Sequence, residues 1–299
     1  MRFLLLLLSA LVFLCSCQQT GSVDLVALSE QARSGDDSAC RQLVGMLGHE
    51  ENALGDKVYP MVVEIGQPMV AALMASVETE NRGQRERVIA ALGTLRVQAA
   101  LQPISEVLRR KSLKRRYIAA WALGEIGDPT SIQPLMSALG DPEDLVRHYA
   151  TRALIKFNRK AVEPLIDFLG TAEPLAAGGA IRALGDIGDK RCLDALLLKV
   201  DGPNRKDAYL ALGKLRDRKA ETALIDGLAD TDWQVRMNAA MALGPIGSER
   251  SVAALNKTLV DEVIVVREWS ARSLSIILGK TVKYTDNTGK RVEPYSVYH

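Results

Sequence analysis

The chain has 299 residues, 47% of them hydrophobic and 25% charged, with aromatics at only 5%. Its 38 lysines and arginines nearly balance 36 acids, so no strong net field draws nucleic acid or an anionic membrane, and any partner must be recognised locally. Abundant alanine and leucine with few aromatics favour closely approaching helices over sheets.

The first residues, MRFLLLLLSALVFLCSC, differ in kind from the rest. Arg2 precedes an apolar run from Phe3 to Leu14, and the small Ser16 follows, which is the grammar of a secretory signal peptide. The run is shorter than the roughly twenty residues that span a bilayer as a helix. Its end, Leu14-Cys15-Ser16-Cys17, resembles the lipobox of bacterial lipoproteins. That resemblance implies a signal peptide at 1–16, acylation of Cys17 and a short linker at 17–22. Gln18 in place of an aspartate implies forwarding to the outer membrane, with the chain outside the cytoplasm and facing the periplasm. A lipid bilayer, reached through acylated Cys17, is then one expected partner, held at about 0.8 kcal/mol per buried methylene. The remaining cysteines, Cys40 and Cys192, have no CxxC partner and no nearby histidine, and they lie far apart in sequence. They read as small buried apolar residues, with neither a disulfide nor a zinc site.

From Val23 to Glu80 the pattern is that of degenerate capping helices, and from Asn81 to Gly279 the chain repeats itself. Aligning on Ala-Leu-Gly gives Gly93, Gly124, Ile155, Gly185, Gly213, Gly244 and Ser275 as equivalent anchors, spaced 31, 31, 30, 28, 31 and 31 residues. Leucine precedes every anchor, and alanine or Ser273 stands two before it. Eight before it stand Arg85, Arg116, Arg147, Ala177, Arg205, Arg236 and Arg267. Each unit reads as two helices. The first follows a turn such as Ile126-Gly127-Asp128-Pro129, where glycine ends one helix and aspartate caps the next. The second follows an acidic turn such as Asp141-Pro142-Glu143-Asp144. A unit this small cannot bury its own apolar face, so the units stack. The fold class is all-α, an α-solenoid of two-helix repeats of about thirty residues.

The motifs Asp141…Val146-Arg147…Ala153-Leu154 and Asp230…Val235-Arg236…Ala242-Leu243-Gly244 resemble the HEAT-like repeats named after phycobilisome lyases. The tail at 280–299 breaks the pattern. Its Asp286-Asn287-Thr288-Gly289 turn allows either a hairpin or a disordered end.

Chemistry-bearing motifs are sparse. The arginine column (Arg85, Arg116, Arg147, Arg205, Arg236, Arg267) reads as structural: Arg147, Arg236 and Arg267 each follow an aspartate by six residues, and guanidinium donors suit turn carbonyls and carboxylates. His49-Glu50 is the only His-Glu pair, whereas deoxyhypusine hydroxylase, built from similar repeats, needs several to hold two irons. His148 lies within a repeat helix and His299 ends the chain. No nucleophile triad, P-loop or carboxylate pair stands out. The basic run from Arg109 to Arg116 reads as a solvated turn. No catalytic residue, cofactor or metal ligand is expected, and no nucleic-acid partner.

What varies between units is more informative. Positions three, seven and eleven before the anchor share one stripe of the second helix, about 200° round from the repeated leucine. Along the stack this stripe presents Tyr117, Trp121, His148, Arg152, Arg182, Trp233, Met237 and Met241, residue types enriched at protein interfaces. The expectation is therefore a lipid-anchored, non-catalytic scaffold that binds other proteins through this stripe. The alternatives are an enzyme or maturation factor of the HEAT-like lyase or hydroxylase type, acting on a prosthetic group or modified side chain, and an envelope glycan binder. A phycobilin lyase activity, suggested by the family's name, conflicts with export from the cytoplasm.

Overall fold

The computed structural model describes residues 24–49 and 53–295; the expected signal peptide, Cys17 and its linker, Glu50 and His299 lie outside them. Among the described residues seventeen helices follow one another. The first five are α1 (Leu25–Arg33), α2 (Asp37–Met46), α3 (Leu54–Ile65), α4 (Val70–Ala75) and α5 (Arg82–Thr94). The next six are α6 (Leu101–Arg109), α7 (Tyr117–Ile126), α8 (Ile132–Ala138), α9 (Asp144–Lys156), α10 (Arg159–Thr171) and α11 (Pro174–Ile187). The last six are α12 (Leu193–Leu197), α13 (Arg205–Leu215), α14 (Glu221–Gly227), α15 (Trp233–Leu243), α16 (Glu249–Thr258) and α17 (Ile264–Leu278).

Each odd-numbered helix packs on the next odd one from α1 to α17, and each even-numbered helix from α2 packs against the odd helix that follows it. The result is a two-layered α-solenoid with one continuous apolar seam between the layers. Local chemistry sets the corners. Gly127 and Gly188 end α7 and α11 at φ +74° and +71°, a region that L side chains rarely adopt. Asp128 and Asp189 then accept the backbone N–H of Thr130 at 2.9 Å and of Arg191 at 3.1 Å, which starts the next first helix.

The Ala-Leu-Gly element has a steric cause. A Cβ on Gly185 would stand 2.8 Å from the backbone Cα of Ala211, and one on Gly93 would stand 2.8 Å from that of Ala122. Gly124, Gly213 and Gly244 meet Ala153, Ala242 and Ser273 in the same way. The anchor of each unit thus faces the alanine two residues before the next anchor, and both must be small for the odd helices to close up. The even helices bring bulkier side chains into the core instead, such as Ile104, Leu135 and Leu165.

The arginine column ties the units twice. Arg85, Arg147, Arg236 and Arg267 donate to carbonyls six residues earlier, those of Thr79, Asp141, Asp230 and Asp261, at 2.7–2.8 Å. Arg116, Arg205 and Arg236 also reach forward 25 residues, to the carboxylates of Asp141, Asp230 and Asp261. Arg116 is buried, at 1% exposure, so the basic run is not the uniformly solvated turn its composition suggests. Arg109, Arg110 and Arg115 of that run pair with Glu106, Glu78 and Glu86. Burial pushes the Asp141 carboxyl up, but the Arg116 guanidinium and the Glu143 backbone N–H outweigh it and hold the group below its ordinary range.

The tail forms a small hairpin, with β1 (Tyr284–Thr285) antiparallel to β2 (Arg291–Val292). Asp286 closes its turn by accepting from the backbone N–H groups of Thr288 and Lys290. The hairpin caps α17: Tyr284 is buried, Arg267 donates to Asn287 Oδ1 at 2.8 Å, and Val282 donates its N–H to Ser275 Oγ at 2.9 Å.

Candidate functional site

The repeat is broken at the α9–α11 junction, and again at α11–α13, where the anchor spacing falls to 28 residues. Ile155 occupies the anchor where neighbouring units carry glycine, and Ala177 occupies the arginine column. The residue 25 beyond Arg147 is Ala172, as Arg110 stands 25 beyond Arg85, so among the described residues the arginine column makes no forward ion pair at either place, and Arg147 turns back to Asp144 at 2.5 Å. Lower on the same helices contact stays close: a Cβ on Gly179 would stand 3.2 Å from Thr151 Oγ1 and 2.8 Å from Leu139. α11 therefore closes on α9 at Gly179 and is held off it at Ile155. The gap that opens is a groove of about 560 Å³, whose lining includes Asp144, Leu145, His148, Arg152, Ile155, Arg182 and Asp186.

A second hollow of about 250 Å³ adjoins it on the α7 side, lined by Trp121, Glu125, Tyr149, Arg152, Ala153 and Lys156. Arg152 lines both. Its neighbours are committed elsewhere: Arg182 pairs with Asp207 at 2.9 Å, Lys156 with Glu125, and Lys214 with Asp186. Among the described residues Arg152 itself has no hydrogen-bond or ion-pair partner, and it is exposed. Tyr149 packs at 5.1 Å against Tyr117 with the rings tilted by 34°, and meets the His148 ring edge-on at 5.7 Å. The arrangement offers an unneutralised guanidinium, aromatic faces and an apolar wall of Leu145 and Ile155, which suits an elongated ligand with acidic or carbonyl acceptors.

Of the eight residues of the expected stripe, Tyr117, Trp121, His148, Arg152 and Arg182 gather here. Trp121 and Tyr117 are half-buried against the core. Trp233, 41% exposed, and the half-buried Met237 and Met241 lie two units further along, on α15. Sequence reasoning missed Leu145, Tyr149, Ile155 and Lys156. The signal for them was present as the two exceptions in otherwise regular columns, Ile155 and Ala177. No three His, Cys, Asp or Glu side chains converge as metal ligands would among the described residues. Cys40 and Cys192 are buried thiols, and burial pushes Cys192 up to about 11, so it stays protonated and unreactive at neutral pH.

A two-layer stack of helix pairs with a groove at an irregular junction defines the class, a HEAT-type solenoid. The family model for HEAT repeats matches residues 70–155, 132–201 and 197–275, and the chain belongs to that family. The phycocyanobilin lyase subunit alpha of Picosynechococcus sp. (strain ATCC 27264 / PCC 7002 / PR-6) is similar to it, 27% identical over 210 residues, covering 62% of this chain and 78% of the relative. Among solved structures, human deoxyhypusine hydroxylase in complex with glycerol matches at 20% identity over 85% of this chain and 98% of its own, with a TM-score of 0.35. The complex of CpcE and CpcF of phycocyanin lyase from Nostoc sp. PCC7120 matches at 22% over 69% and 86%, with a TM-score of 0.37.

The lyase relative overturns the expectation of a non-catalytic scaffold. That expectation rested on the lack of a nucleophile triad or carboxylate pair. The lack does not exclude catalysis, because an enzyme that works by holding reactants in register needs no nucleophile of its own.

Proposed function

We propose that this chain is a subunit of an enzyme, or a maturation factor, of the HEAT-like lyase type, which handles a prosthetic group or modified side chain belonging to a client protein. The observation that carries this reading is the 27% identity to a phycocyanobilin lyase subunit over 78% of that relative's length. The groove between α7 and α11 supports it chemically. A flat conjugated group with an acidic arm fits an unpaired Arg152 for its carboxylate and the Trp121 and Tyr149 rings for its π-face. Rate enhancement then comes from orientation and electrostatic positioning.

Titrating the purified chain with a linear tetrapyrrole tests the reading. The expected result is a shifted and sharpened visible absorption band, with affinity falling at least about tenfold in Arg152→Ala, since a hydrogen bond to a charged group contributes about 1.5–3 kcal/mol. An unshifted spectrum with linear tetrapyrroles and with haem, together with no transfer of either group to a client, would overturn it.

We further propose that the enzyme works outside the cytoplasm from a lipid anchor on Cys17, a reading supported by the Leu14-Cys15-Ser16-Cys17 sequence. Its client then shares that compartment. Labelled palmitate should enter the wild-type chain and not Cys17→Ala, and the variant should leave the membrane fraction. Equal labelling of both would refute the anchor.

A further inference from the structure

The chain's own tail shows how this stripe holds a backbone segment. After the hairpin the chain reaches the stripe of α17, where Glu268 and Arg272 stand seven and three residues before the anchor Ser275. Glu268 Oε1 accepts the Tyr295 N–H at 3.3 Å, and Arg272 donates to the Tyr295 carbonyl. Both polar groups of one backbone residue are thus held by one helical turn. Arg272 is steadied from below by Trp269, whose ring lies 4.5 Å from the guanidinium carbon.

The same three positions recur once more in the repeats. Relative to anchor Ile155, the residues seven, six and three before it are His148, Tyr149 and Arg152, matching Glu268, Trp269 and Arg272. No other unit combines an aromatic residue six before its anchor with an arginine three before it. On α17 the arginine is occupied by the tail. On α9 Arg152 has no partner among the described residues and opens onto both hollows.

We infer that the α7–α9–α11 groove binds an extended segment of a client polypeptide, with Arg152 donating to a backbone carbonyl as Arg272 does, and His148 accepting the matching N–H through its unprotonated ring nitrogen. The segment crosses the helices. Two interhelical steps of about 8–10 Å each accommodate about six residues at about 3.3 Å per residue. Leu145 and Ile155 take an apolar side chain beside the clamp. This inference rests on the enzyme-subunit reading only in calling the polypeptide a client.

The test is selection of a displayed random decapeptide library on the full chain, followed by titration of a fluorescently labelled enriched peptide. The expected result is binding that weakens at least about tenfold in Arg152→Ala and is partly retained in Arg152→Lys, which still donates to a carbonyl. Lys160→Ala, on the exposed face of α10, should bind as wild type, and all variants should melt alike. Failure to enrich any peptide, or an affinity unchanged within twofold in Arg152→Ala, would overturn the inference. Tetrapyrrole titration of the same proteins separates the two readings. Tetrapyrrole binding without peptide binding leaves the enzyme reading standing and removes the clamp, whereas the reverse keeps the clamp and removes the prosthetic group.

Discussion

Replacing Arg116 with alanine is expected to lower stability by about 3–5 kcal/mol, the range for breaking a buried ion pair from one side. Its guanidinium donates to Asp141 Oδ2 at 2.6 Å and Oδ1 at 2.8 Å, to Glu143 at 2.9 Å, and to the Leu108 and Leu113 carbonyls at 3.1 Å. Asp141 is 5% exposed, so the substitution leaves a carboxylate and two carbonyls buried without their donor. Removing Asp141 as well should recover part of the loss, because the uncompensated charge goes with it. Urea unfolding of the two single variants and the double variant, followed by far-UV circular dichroism, measures all three. A loss below about 1 kcal/mol for Arg116→Ala would show that neighbouring charges or water replace the guanidinium.

The sign of the pH dependence follows from the same carboxylates. Asp141, Asp230 and Asp261 are each pushed up by burial, yet are held below the ordinary range by Arg116, Arg205 and Arg236 and by the backbone N–H two residues on. A depressed folded value means that their contribution is complete above the unfolded value of about 3.9 and is lost as pH falls through the lower folded one. The wild-type unfolding midpoint should therefore hold above about pH 4 and drop below it. In Arg116→Ala, Asp141 keeps its burial but loses the guanidinium that lowers it, so its share of the acid drop should shrink or reverse.

The architecture was readable because its cause is local and repeated. Leu123, Leu154 and Leu184 and the alanines beside them recur in register because every odd helix solves the same packing problem. Arg116 was harder to read. Its partner lies 25 residues away in the next unit, and within the basic run its charge looks like its neighbours' charge. The spacing was nonetheless written three times, as Arg116 to Asp141, Arg205 to Asp230 and Arg236 to Asp261. The hairpin was ambiguous because β1 and β2 are two residues each, too short for periodicity, and their order comes from α17 beneath them. The groove was overlooked for a different reason. A search for what recurs treats Ile155 and Ala177 as noise, yet the wider of the two hollows lies where Ile155 replaces the anchor glycine.

That rule makes its own prediction. Gly185→Val is expected to destabilise the chain by about 2–3 kcal/mol, whereas Gly170→Ala, in α10, should stabilise it by up to about 1 kcal/mol. Both replace a helical glycine, so both reduce backbone freedom in the unfolded chain. They differ in what the new Cβ meets. At Gly170 nothing lies within 4 Å, and only the conformational gain remains. At Gly185 the Cβ would stand 2.7 Å from the Ala211 Cβ and 2.8 Å from its Cα, so it is a backbone that must move, and with it the whole of α13. The strain of overpacking then exceeds the propensity gain, and the valine methyls add to it. Thermal unfolding of the two variants beside wild type decides the point. If Gly185→Val melted as wild type does, close approach would not be the reason for glycine at the anchors, and Ile155 could not be the wedge that holds α9 and α11 apart.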